Sequence, residues 1–176
     1  SMSQQTEFLP VNIAVLTVSD TRTLADDRSG DTLVERLTEA GHKLADRAIV
    51  KDDAAVIADQ FRKWINDPAV DCIISTGGTG VTGRDVTPEA LEAVAEKIIP
   101  GFGEMFRWIS FQKIKSSTIQ SRACAGVANG TYIFVLPGST GACKDGWDEI
   151  LVHQLDIRHK PCNFVELMPR LKEHLA

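Results

Sequence analysis

Short β-branched runs alternate with stretches of helical period along the first half of the chain. Residues 13–18 (IAVLTV) are apolar without interruption, the pattern of a strand buried on both faces. A polar loop over 19–30 follows. Leu33, Val34, Leu37 and Ala40 then recur at helical spacing over 31–40, and Gly41 stops that helix. A second strand is predicted over Lys43–Val50, then a helix over Ala54–Ile65 carrying Val56, Ile57, Phe61, Trp64 and Ile65, closed by Asp67-Pro68. Residues 70–75 (VDCIIS) form a third buried strand that runs into Thr76-Gly77-Gly78-Thr79-Gly80.

Beyond that loop, Thr87 is expected to cap a helix over 89–99, with Pro88 at its first position, where no amide is needed. A short helix over 103–111 carries Phe106 and Trp108. The segment 102–114 is so apolar that burial is expected, in the core or between subunits. Asn129-Gly130 between 123–128 and Thr131–Leu136 is a strong hairpin signal. Pro137-Gly138 ends the last strand, and a final helix runs through Trp147, Ile150, Leu151 and Leu155. Strands alternating with helices predict βαβ units and a mostly parallel α/β sheet, with an antiparallel hairpin near one edge. Ligands of such sheets bind beyond the carboxyl ends of the strands, which directs attention to the loops 19–30, 51–53, 76–87 and 137–142.

Length changes this picture little: 176 residues suit a single domain, expected over 11–170 behind a disordered segment 1–10. Charge excludes one class of partner. Nineteen basic against 24 acidic residues leave a net charge of -5, which argues against nucleic acid. A small anion can still be held locally by backbone amides. No apolar run is long enough to span a bilayer, so no membrane partner is expected. The polar start lacks the form of a secretory signal, Ser1 ahead of Met2 reads as a tag remnant, and a cytoplasmic location is expected. Cys72, Cys124, Cys143 and Cys162 are scattered and read as free, mostly buried thiols.

Chemistry concentrates in residues 75–88, STGGTGVTGRDVTP. Gly77, Gly78, Gly80 and Gly83 let the backbone bring N–H groups close to an anion. Thr76, Thr79 and Thr82 add hydroxyls, and Arg84 adds a donor fork suited to phosphate. Asp85 beside such a cradle is repulsive unless a cation intervenes, which points to Mg²⁺ shared with substrate phosphates. No Gly-Lys-Ser/Thr follows, and the first strand ends in Ser19-Asp20 rather than glycines, so neither a Walker loop nor a dinucleotide fingerprint is present. Asp52 and Asp53 read first as a cap for the helix at Ala54, with a shared metal as the alternative. His42 looks like a helix-end residue. His153, His159 and Cys162 invite a metal reading without a fourth ligand, and a surface or interface role is preferred. Trp64, Trp108 and Trp147 are read as core or subunit-contact anchors.

Gly77-Gly78-Thr79-Gly80 followed by Arg84-Asp85-Val86-Thr87-Pro88-Glu89, then Pro100-Gly101-Phe102-Gly103-Glu104, resembles the molybdenum-cofactor biosynthesis family of MogA and MoaB. Ser121-Arg122-Ala123, Leu136-Pro137-Gly138-Ser139-Thr140 and Arg158-His159-Lys160-Pro161-Cys162-Asn163 resemble its MoaB branch. The resemblance runs from about Asn12 to Asn163. It implies a three-layer αβα sandwich, assembled as a homotrimer or homohexamer, that works with other proteins of cofactor assembly. It further implies adenylation of molybdopterin with Mg-ATP, the family's two functional aspartates falling on Asp52 and Asp85. Ser19, Asp20, Thr76 to Gly80, Arg84, Thr87, Ser121, Arg122 and Pro137 to Thr140 fall in its ligand-binding segments. The chain departs from the adenylating pattern at Lys51, where Pro is usual, and at Ser139-Thr140, which replaces an x-Pro. A non-catalytic molybdopterin-binding or scaffold protein of the same pathway is therefore the alternative.

Overall fold

The computed structural model describes residues 6–176. Six strands form one sheet in the order β2-β1-β3-β6-β5-β4. These are β1 (Asn12–Val18), β2 (Lys43–Val50), β3 (Cys72–Thr76), β4 (Lys97–Ile98), β5 (Cys124–Ala128) and β6 (Thr131–Leu136). β2, β1, β3 and β6 run parallel to one another, and β5 pairs antiparallel with both β6 and β4. The expected parallel sheet and edge hairpin are thus observed. Asn129 and Gly130 at the hairpin tip both have positive φ (47° and 78°), as a two-residue turn of this hand requires.

Helices cover both faces, which gives the three expected layers. On one face, Leu33 and Leu37 of α1 (Arg28–Glu39), Phe102 and Phe106 of α4 (Pro100–Ile114) and Cys143 of α5 (Thr140–Gly146) pack on Ile13, Val15, Ile74 and Phe134. On the other, Ile57, Phe61 and Trp64 of α2 (Ala54–Ile65) and Leu91 of α3 (Thr87–Val94) pack on Ala14, Leu16, Ile73 and Ile133. Successive β1 residues therefore serve opposite cores, which is why Ile13, Ala14, Val15 and Leu16 are all apolar.

Several boundaries differ from expectation, each for a local reason. α1 starts at Arg28 rather than 31, because Asp27 caps it by accepting the Gly30 amide. Thr87 does not cap α3: its hydroxyl donates to the Gly77 carbonyl at 2.9 Å, and Val86 precedes the helix without a side-chain cap. α3 ends at Val94, and Lys97–Ile98 becomes the outermost strand against Gly126 and Val127. α4 extends to Ile114 and continues into a 3₁₀ segment, Lys115–Gln120. Phe102 and Phe106 are buried as expected. Met105, Trp108, Phe111 and Ile114 are exposed within the chain, so Trp108 is not a core anchor, while Trp64 and Trp147 are. Val56 also faces out.

The final helix is interrupted by a π turn, Trp147–Leu151, before α6 (Val152–Gln154). The tail adds α7 (Phe164–Leu167), opened by an Asn163–Glu166 capping box. His42 is buried and fixed: its Nδ1 accepts the Val11 amide at 2.9 Å, and Phe8 and Trp147 lie against its ring. The segment expected to be disordered falls partly on residues 1–5, outside the described residues, while Phe8 within it makes that packing contact. All four cysteines are free; Cys72 and Cys143 are buried, Cys124 partly so, and Cys162 is exposed. No helix among the described residues is long and apolar enough to cross a membrane.

Candidate active site

β1 leads through α1 to β2 on one side, and β2 returns through α2 to β3 on the other. The strand order thus reverses between β1 and β3, and the loops that leave the carboxyl ends of those strands run to opposite sides of the sheet and leave a crevice between them. The crevice holds two lobes that share Gly78, Asp85, Gly138 and Ser139.

The smaller lobe, about 470 Å³, is polar. Ser19, Asp52, Thr76, Gly77 and Thr140, all singled out from the sequence, line it together with Thr17, Arg22, Asp27, Arg28 and Ser29, which sequence reasoning did not name. Asp27 was the legible clue among these, an aspartate placed to cap. It is 1% exposed and joins three elements. It accepts from Thr17 Oγ1 (2.6 Å), the Gly30 amide (3.0 Å) and Arg47 Nη2 (3.1 Å). Ser29 Oγ donates to the Gly138 carbonyl at 2.7 Å, fastening the start of α1 to the turn after β6.

The larger lobe, about 590 Å³, lies between the glycine loop and the α4–α5 side. Thr79, Gly80, Ser121 and Pro137 line it as predicted. Phe106, Ser110, Lys113, Ser117 and Gln120 also line it; the first three were missed because the pattern gave 102–114 only an apolar character, and nothing in the sequence singled out the other two. Ser139 opens α5 as its cap by accepting the Ala142 amide at 3.1 Å.

The floor between the lobes is backbone, and two glycines there are obligatory. Gly77 and Gly78 have φ of +104° and +71°. A Cβ on Gly77 would lie 2.2 Å from the Val18 carbonyl oxygen, and one on Gly78 would lie 2.3 Å from Thr87 Oγ1. Thr76 Oγ1 donates to the Pro137 carbonyl at 2.8 Å and so ties β3 to β6 beneath them.

The charged residues divide by role. Arg84 and Asp20 line neither lobe and form a fork with each other at 2.8 and 3.1 Å. That guanidinium holds the Asp20 carboxyl below its ordinary range, helped by the Asp52 amide. Arg122 braces the loop instead of facing the crevice: Nε donates to the Gly80 carbonyl, Nη2 to the Asp85 carbonyl, and both terminal nitrogens engage Glu89. Asp85 accepts the amide and hydroxyl of Thr82 at 3.0 and 2.7 Å. Asp53, not Asp52, caps α2. Asp52 is left facing the lobe with its pKa raised, first by partial burial, then by the Asp20 carboxylate, with Asp85 adding to the repulsion.

A doubly wound α/β domain with a bilobed crevice at its switch point defines the class. The chain matches the family described as "Probable molybdopterin binding domain" over residues 14–157. It is 50% identical over 173 residues to Molybdenum cofactor biosynthesis protein B of Escherichia coli (strain K12), covering 98% of this chain and 100% of that relative. A crystal structure of Molybdenum cofactor biosynthesis protein B superposes with a TM-score of 0.84 at 37% identity, covering 94% of this chain and 98% of that one. The tungsten cofactor synthesizing protein MoaB from Pyrococcus furiosus superposes at 0.72 with 32% identity, covering 81% and 91%. The chain belongs to this molybdopterin-binding-domain family of molybdenum cofactor biosynthesis proteins.

Proposed function

We propose that the chain binds molybdopterin and adenylates it with Mg-ATP. An oxygen of the pterin's terminal phosphate bonds to the α-phosphorus of ATP, the bond from that phosphorus to the bridging oxygen breaks, and pyrophosphate leaves with the electron pair. The observation that carries this reading is the meeting of two lobes of opposite character over one glycine floor. The polar lobe, with Arg22, Arg28, Ser29 and Asp52, suits a triphosphate. The larger lobe, with Phe106, Ile114 and Ala142 as walls and Ser110, Ser117 and Gln120 among its polar groups, suits a flat heterocycle with hydrogen-bonding edges. Transfers of this kind draw most of their acceleration from positioning and charge neutralisation, so no nucleophilic side chain is needed.

Magnesium fits the residues present. Asp52 and Asp85 line the same polar lobe, which suits an ion held by one or two carboxylates and its substrate's phosphates. Asp52 and Asp85 would hold it, and when bound it would neutralise charge gathering on the phosphates. The chain's own part is to fix both substrates: the turn at 77–80 receives phosphate oxygens, and Asp27, Ser29 and Arg122 keep the walls in place. The test incubates the protein with molybdopterin, ATP and Mg²⁺ and separates the products. Adenylated pterin and pyrophosphate in equal amounts are expected. Pterin binding with no product would replace this reading by the non-catalytic one, for which the Ser139-Thr140 turn is the motivation.

We also propose that copies of the chain assemble through α4, as a trimer or a pair of trimers. Trp108 is 67% exposed and Phe111 48%, beside exposed Met105 and Ile114. That much clustered apolar surface marks an interface. Trp108→Glu combined with Phe111→Glu is expected to yield monomers by size-exclusion chromatography with light scattering. An unchanged mass would remove α4 from the assembly.

A further inference from the structure

A separate hollow of about 330 Å³ lies on the α4 face, away from the bilobed crevice. Its walls are apolar, including Ile99, Phe102, Ile150 and Phe164, yet two imidazoles, His153 and His159, open into it. Their ring centroids are 5.3 Å apart with the planes inclined by 40°. Other histidines are already engaged: His42 accepts a backbone amide and His174 pairs with Glu96. Among the described residues neither His153 nor His159 has a ring nitrogen in a hydrogen bond, although the groups around them are firmly placed. The His159 amide donates to Asp156 and its carbonyl accepts from Asn163, a 2% exposed side chain. His153 lies two residues past the π turn that carries Glu149 and Ile150 into the same hollow. Such turns insert a residue and re-aim the side chains after them.

We infer that His153 and His159 form a two-imidazole site for a divalent transition ion of the zinc, copper and nickel group. With metal–nitrogen bonds of about 2.0–2.1 Å and a tetrahedral angle, two imidazole centroids stand about 5 Å apart, the separation observed here. Nitrogen ligands select these ions over magnesium or calcium. No third His, Cys, Asp or Glu converges with the pair among the described residues, so water fills the other positions. The site is independent of the adenylation reading, because neither histidine lines the bilobed crevice.

The test titrates the full-length protein with Zn²⁺ by calorimetry and with Cu²⁺ by electron paramagnetic resonance. One ion per chain is expected, and the copper spectrum should show coupling to two imidazole nitrogens. His153→Ala and His159→Ala should each weaken Zn²⁺ binding by about tenfold or more, since loss of even an outer partner of a metal ligand costs on that order. Each variant should retain coupling to a single nitrogen. Cys162→Ser and His174→Ala should bind as the parent does. Parental Zn²⁺ affinity in the two histidine variants, or loss of binding in Cys162→Ser, would overturn the assignment.

Discussion

Asp52→Asn is expected to cut adenylation of molybdopterin by about a hundredfold or more, the scale on which loss of one group stabilising transition-state charge is felt. The same variant should melt at a slightly higher temperature than the parent. Both effects come from one cause. Burial, Asp20 and Asp85 all push the Asp52 pKa up, outweighing the Asp20 amide and Arg84, which push it down. A carboxyl whose pKa is higher in the folded than the unfolded chain binds its proton more tightly when folded. Its stabilising contribution is therefore complete below 3.8, the ordinary value, and is lost as pH rises through the folded value. At neutral pH the ionised side chain is a net cost, and an amide of the same shape removes it. The parent's rate should rise with pH along a limb whose midpoint lies above 3.8, and that limb should be absent from the variant's residual activity. Product chromatography across pH and a thermal melt check both halves. Full activity in Asp52→Asn would remove the acid from the reaction. A fall of several degrees in melting temperature would show that Asp52 supports the fold instead of straining it.

The parts of this molecule that were legible in the sequence are those where one pattern admits one structure. β1 faces a core on each side, so its apolar run over 13–16 reads as a buried strand, and β2 was bounded to the residue. Asn129-Gly130 fixed the hairpin because both residues tolerate positive φ. Residues 95–99 were misassigned to a helix because Ile98 and Ile99 continue the apolar spacing of α3. Pairing of Lys97 and Ile98 with β5, a tertiary event, decides the matter. In the crevice, the glycines and Asp85 could be picked out by residue type, whereas Asp52 read first as a helix cap and was singled out only by the family resemblance. Which arginines remain available for a ligand could not be picked out. Arg84 read as a phosphate donor and the resemblance put Arg122 in a ligand-binding segment, yet Asp20 and Glu89 engage them, and those partners lie 64 and 33 positions away. Arg22 and Arg28, in a loop that reads as merely polar, face the polar lobe instead.

Gly77→Ala should lower stability by about 2–4 kcal/mol and abolish binding of both molybdopterin and ATP. At φ +104° an L side chain is strained whatever the space around it, and here there is no space. The added Cβ would sit 2.2 Å from the Val18 carbonyl oxygen, a backbone atom of β1 that cannot swing aside as a flexible side chain can. Nor can residue 77 retreat: its amide donates to Leu136 at 3.0 Å, its carbonyl accepts from Thr87, and Gly138 lies against its Cα. Relief must come from parting β1 and β3 at their carboxyl ends, which widens the switch point and pulls the floor from under both lobes. Gly83→Ala is the matched control, because a Cβ there meets nothing within 4 Å and φ is not in the left-handed region. That variant should stay within about 0.5 kcal/mol of the parent. Urea denaturation of the two variants side by side, followed by calorimetric titration of each with ATP and Mg²⁺, separates a rigid cradle from a pliable one. If Gly77→Ala unfolds at the same urea concentration as Gly83→Ala and binds nucleotide equally well, the close approach of the two strands is not what shapes the crevice.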